Sequence, residues 1–247
     1  MQSAIELQGL KKSFRLVHGQ AGSIKALLLS FKRRKPEELM ALKGVDLSIA
    51  KGETLAVIGR NGSGKSTMLG IVGRIYKPTS GKVIVHGRVS ALLELGAGFH
   101  PELTGIENIY LNGAILGIKT RDMKSKVDEI VRFAELEKFI DTPIKGYSKG
   151  MVMRLGFAIA VQVDPDILLV DEVLAVGDEA FQAKCYEKIS EFQRLGKTIV
   201  FVSHDLPAVR RVASRVVWLD KGVIRMDGPT GQVVDAYMAG VAADEQH

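Results

Sequence analysis

The strongest constraint on this chain is the run Gly59, Arg60, Asn61, Gly62, Ser63, Gly64, Lys65, Ser66, followed by Thr67. It fits the spacing G-x-x-x-x-G-K-[ST], the phosphate-binding P-loop. Glycines let a backbone fold round an anion with several N–H groups turned inward. Lys65 can bridge β- and γ-phosphates, and the Ser66 hydroxyl can ligate Mg2+. The flanks agree with this reading. Residues 54–58 are a short apolar run that reads as a buried strand. Residues 66–73 carry the small and apolar side chains of a packed helix, whose N-terminus adds its positive dipole end to the site.

Composition narrows the class. The 247 residues suit one large domain or two small ones. With 46% apolar and 25% charged residues the chain can build a core and is not disordered. A single cysteine, Cys185, excludes an internal disulfide framework and fits a reducing compartment. The first residues lack a basic stretch followed by an apolar run, so no signal peptide is visible. No run reaches the roughly 18 apolar residues that a membrane-spanning helix needs. The net charge of +6 is compatible with nucleic acid, an anionic membrane face or a phosphate ligand, and does not choose among them.

Along the chain, residues 3–10 alternate loosely and predict an edge strand. Residues 18–40 stand out as an insertion. Its apolar part, 24–31, has helical spacing, and Lys32, Arg33, Arg34 and Lys35 cluster at that helix's C-terminal end, where they complement the dipole. Pro36 should stop the helix. Residues 41–49 and 53–58 read as strands joined at Lys51-Gly52, and 82–86 with 88–93 as a strand pair turning at Gly87. From 104 to 139 the pattern is helical. Ser148 is a good N-cap for a helix running to Val163. Residues 166–170 and 198–202 are buried strands, with an amphipathic helix from 179 to 195 between them. A hairpin over Lys221-Gly222 and a last helix from Pro229 follow. Buried strands alternating with helices predict an α/β fold with a parallel sheet and an antiparallel β region near the N-terminus.

The second half of the site is predicted where the apolar run 167–170 meets Asp171 and Glu172. Ligands of α/β proteins sit at the carboxyl ends of strands. Asp171 is placed to hold Mg2+, directly or through water, and Glu172 to polarise an attacking water. His204 follows the neighbouring strand and Ser203, where its ring can donate to a γ-phosphate oxygen.

These motifs together resemble the ATP-binding subunit of an ABC transporter, over Ile5 to Ala239. The resemblance implies the ABC ATPase fold: one domain over 1–247 with a helical subdomain at about 100–163. Tyr147, Ser148, Lys149, Gly150 and Met151 stand where that family carries its signature motif, L-S-G-G-Q, keeping Ser148 and Gly150. Ser148 at a helix N-terminus can present its hydroxyl and backbone N–H groups to an anion. In the family that anion is the γ-phosphate held by a partner's P-loop. The resemblance therefore implies a head-to-tail homodimer with two ATP molecules at its interface. Asp178 takes the place of the D-loop acid, and Phe14 that of the aromatic that stacks on adenine. The family's loop glutamine, which contacts Mg2+ and the membrane subunit, is missing from 91–99; Glu94 is the nearest substitute.

The departures resemble a subgroup. Tyr-Ser-x-Gly-Met, residues 92–99, Leu103 to Asn108 and Asp171 to Asp178 are similar to ATPases of bacterial polysaccharide exporters. Such proteins move lipid-linked O-antigen, capsule or teichoic acid chains across the inner membrane. The resemblance implies a peripheral protein on the cytoplasmic face of that membrane, a separate integral membrane permease, and no nucleic-acid partner. The chain ends at His247, so no C-terminal carbohydrate-binding domain is expected. Residues 24–35 are either a surface helix with a solvated basic end or a membrane-facing element near the lipid-linked glycan. The alternatives at this level are the ATPase of a lipid or small-molecule exporter, a soluble ABC protein of DNA repair or translation, and a P-loop kinase.

Overall fold

The computed structural model describes residues 2–16, 37–92, 98–171 and 178–244. The helix expected over 24–31, the basic cluster Lys32 to Lys35, Glu94 and Glu172 lie outside them.

Strands β1 (Ser3–Leu16), β2 (Glu37–Ala50) and β4 (Ser80–Val85) form an antiparallel sheet in the order β2-β1-β4. The first strand, expected at an edge, is therefore central: Ile5 faces Ile49 on one side and Val85 on the other. Alternation reports one buried face and says nothing about how many neighbours bond the backbone. β2 also begins earlier than expected. Residues 37–40 belong to it and not to the insertion, with Leu39 paired to Phe14 and Met40 to Ser13.

The second sheet runs β5 (Val89–Leu92), β6 (Ile167–Asp171), β7 (Thr198–Val202), β3 (Thr54–Ile58), β8 (Arg215–Asp220), β9 (Val223–Pro229). Its first five strands are parallel, and β9 folds back on β8. The strand pair expected about Gly87 does not form. β4 pairs with β1, and β5 pairs with β6. Gly87 is where the chain changes sheets. The His86 amide still donates to Ala4 of the first sheet, while the Arg88 carbonyl already accepts from Asp166 and Ile167 at the start of β6.

The parallel strands are buried on both faces, which is why they read as unbroken apolar runs. Successive side chains go to opposite cores. Ala56, Ile58, Leu168, Val170, Ile199 and Phe201 join a core with α6 (Glu179–Arg194), α7 (Leu206–Val212) and α8 (Thr230–Asp244). Leu55, Val57, Ile167, Leu169, Val200 and Val202 join the other, shared with α1 (Lys65–Val72) and the antiparallel sheet. A third core is helical. It is built by α2 (Gly105–Ile115), α3 (Thr120–Lys124), α4 (Val127–Ala134) and α5 (Lys149–Gln162). Helix α5 ties it to the sheet. Leu155, Ala158 and Ile159 enter the helical core, and Phe157, Ala160 and Val161 the sheet's. Among the described residues no helix is long and apolar enough to cross a membrane.

Candidate functional site

Three strand ends converge. Val202 of β7 lies beside Val57 of β3 on one side and Asp171 of β6 on the other. The loop from Gly59, the carboxylate of Asp171 and the Ser203-His204 step thus leave one edge of the sheet, the position where open α/β sheets bind ligands.

The loop is shaped for an anion. Gly64, at φ +107, is the N-cap of α1 and supplies no side-chain cap. A Cβ there would lie 2.5 Å from the Ala41 carbonyl oxygen, so only glycine fits. The N–H groups of Lys65, Ser66 and Thr67, in the first turn of α1, have no carbonyl within the helix to bond. The Ser63 hydroxyl is buried with no hydrogen-bond partner among the described residues. Lys65 is only 7% exposed, and its Nζ donates to the carbonyls of Gly59 at 2.8 Å and Arg60 at 3.1 Å. A buried ammonium favours an anion beside it.

These groups open on a cleft of about 570 Å3. Asn61, Gly62, Gly64, Lys65, Ser66, Thr67 and Asp171 line its polar side. Phe14, Leu39, Met40 and Ala41 line the other. An anionic chain fits the polar side, and a flat heterocycle fits the apolar one. The Ser66 hydroxyl and Asp171 carboxylate are oxygen donors of the kind Mg2+ takes, and both reach the same cleft.

The remaining candidates fall elsewhere. Gly59, Arg60 and Ser63 shape the loop but are not among the described lining residues. His204 is exposed just past β7, and Asp205 after it caps α7 by accepting from the Ala208 amide. Ser148 caps α5, its Oγ accepting from Met151 N at 3.2 Å. With Lys149 it is exposed, while Gly150 and Met151 are half-buried, and none of the four lines the cleft of its own chain. Tyr147 seals the same helix start: its hydroxyl donates to the Phe139 carbonyl and packs where a Cβ of Gly105 would stand. Thr104 and Glu107 close a capping box on α2, and the buried Asn108 amide pins the loop before it. The run Leu103 to Asn108 and the run Tyr147 to Met151 are thus built against each other.

Asp178 caps α6. The Phe181 amide donates to Oδ1 at 2.9 Å, and Arg154 of α5 donates to Oδ2 at 2.8 Å. The Phe181 amide first, then Arg154, holds its carboxyl below the usual carboxylate range. Arg154 also binds Glu135, as does Lys184, so the start of α6 is tied to α4 and α5. Sequence reasoning missed Leu39 and Met40, which it left in the insertion. The apolar run 39–42, which follows Pro36 after only Glu37 and Glu38, was the available signal.

The chain belongs to the ABC transporter family, whose sequence profile matches residues 42–175, and is one of its ATP-binding subunits. It is 46% identical over 246 residues to the O-antigen export system ATP-binding protein RfbB of Klebsiella pneumoniae, across 98% of this chain and 100% of that one. The teichoic acids export ATP-binding protein TagH of Enterococcus faecalis is 43% identical over 230 residues, across 93% of this chain and 51% of TagH. The dimeric structure of a bacterial ABC transporter cassette superposes with a TM-score of 0.74 at 25% identity, across 92% of this chain and 98% of that one. This agrees with the expected α/β core, parallel sheet and N-terminal antiparallel sheet.

Proposed function

We propose that the chain hydrolyses ATP to drive export of a lipid-linked polysaccharide of O-antigen, capsule or teichoic acid type. It works at the cytoplasmic face of the inner membrane, beneath a separate permease. The observation that supports this most is the division of the site. The cleft holds Lys65, Ser66 and Asp171, whereas Ser148 opens an exposed helix start that its own cleft lacks. A second copy, packed head to tail, would supply it. Likeness to RfbB along nearly the whole chain supports the class of cargo.

In this reading Lys65 and the first-turn amides of α1 hold the β- and γ-phosphates, while Phe14, Leu39 and Met40 pack the base. Ser66 and Asp171 would hold Mg2+, which would screen the phosphate charge. Glu172, next to Asp171 in sequence, takes the proton of the attacking water, and His204 donates to a γ-phosphate oxygen. Ser148, Lys149, Gly150 and Met151 of one copy face the γ-phosphate in the other, with Asp178 at the D-loop beside them. Glu94 takes the part of the family's missing loop glutamine toward Mg2+ and the permease. The charges of Lys32, Arg33, Arg34 and Lys35 attract lipid headgroups or the glycan's pyrophosphate.

The test is Glu172→Gln. It should lower hydrolysis by about 100-fold or more and trap an ATP-bound dimer visible by size-exclusion chromatography. Hydrolysis at the parental rate would refute the assignment of the base.

A further inference from the structure

We infer that Tyr76 is a positioning residue that sets the Phe14 ring against the nucleotide base; this rests on the reading of the cleft as an ATP site. Lys12 and Phe14, two apart on β1, share one face of the strand. The Tyr76 ring meets Phe14 edge to face, with centroids 5.6 Å apart and planes at 86°. Lys12 Nζ donates to the Lys77 carbonyl at 2.9 Å and stands 4.8 Å from the Phe14 centroid and 5.8 Å from that of Tyr76.

Tyr76 is itself seated on the helix that carries the P-loop. Its amide and that of Ile75 both donate to the Gly70 carbonyl of α1. Its ring lies so close to Gly70 that a Cβ there would come within 2.7 Å of it. One side chain therefore touches both the helix that begins at the phosphate loop and the aromatic wall of the cleft. The spacing between phosphate subsite and base subsite is set through Tyr76. Tyr76 is not among the described lining residues, and its side chain meets Phe14 and Gly70 through the ring.

The test measures binding of ATP and of inorganic tripolyphosphate, which lacks a base, to the full chain by calorimetry. Tyr76→Leu keeps an apolar side chain on Gly70 but removes the ring. It should weaken ATP binding about fivefold, the scale of one aromatic pair, and leave tripolyphosphate binding unchanged. Tyr76→Phe should restore ATP binding. Tyr76→Leu combined with Phe14→Ala should bind ATP no more weakly than Phe14→Ala alone, because the two act as one unit. Equal losses for ATP and tripolyphosphate, additive losses with Phe14→Ala, or no loss from Tyr76→Leu would overturn the inference. Failure of the unaltered chain to bind ATP would instead overturn the reading of the cleft.

Discussion

A Cβ on Gly59 would stand 2.1 Å from the carbonyl oxygen of Leu219. Ile58 of β3 lies beside Trp218 of β8, so the loop leaves its strand pressed against the neighbouring backbone. Backbone cannot swing aside as a long side chain can. With φ at +150, Gly59 also occupies a conformation other residues avoid. Gly59→Ala should therefore destabilise the chain by about 1–3 kcal/mol in urea unfolding and abolish ATP binding. Gly62→Ala, where a Cβ meets nothing within 4 Å, should cost less. Equal stability losses would show that the contact with Leu219 is unimportant.

Lys65 is buried, and neutral carbonyls are its described hydrogen-bond acceptors. Lys65→Met should reduce ATP affinity at least about tenfold, the scale of one charge-assisted hydrogen bond. Adenosine, which carries no phosphate, should bind the variant and the parent alike. Loss of adenosine binding in parallel would mean that the substitution disturbs the whole cleft.

Cys185 lies on α6 at 0% exposure. Burial pushes its thiol up to about 12. At pH 8 it should resist alkylation in the native protein and react readily in urea. Fast native labelling would place α6 away from the sheet. The sign of the linkage is also fixed. Cys185 keeps its proton in the fold and loses it in the unfolded chain, so its contribution to stability is full below pH 9 and declines as pH rises toward 12.

Glu135 titrates the other way. The hydrogen bond from Lys184 first, then the charges of Lys184 and Arg154, hold its carboxyl below the ordinary 4.5. The stability this brings is present above pH 4.5 and is lost as pH falls through the lowered value. Lys184→Met should make the acid limb of the melting-temperature profile shallower. An unchanged limb would exclude Glu135 from acid unfolding.

Much of this arrangement was legible in the sequence. The P-loop, Asp171 and the cap at Ser148 follow from local rules, because spacing and residue type decide them. The two cores were legible in the apolar runs of β3, β6 and β7. Sheet membership was not. Gly87 has the composition of a hairpin turn, yet it carries the chain from one sheet to another, since β5 finds its partner in residues 167–170 far along the chain. The central place of β1 was hidden for the same reason. Leu39 and Met40 were missed because they reach the cleft only through pairing with Phe14 and Ser13. Asp178 reads in sequence as a loop acid; its bond to Arg154 depends on α5 packing beside α6.

The central claim is that each site is completed by two copies, Lys65 from one and Ser148 from the other. It is tested most directly by mixing two inactive variants, Lys65→Met and Ser148→Glu, and measuring ATP hydrolysis after subunit exchange. In a head-to-tail dimer, about half of the dimers after exchange are mixed, and each of these carries one site with both lesions and one with neither, so activity should rise to at most about a quarter of the parental rate. If the site were complete within a single chain, every site in the mixture would carry a lesion, and activity would stay at the level of the separate variants.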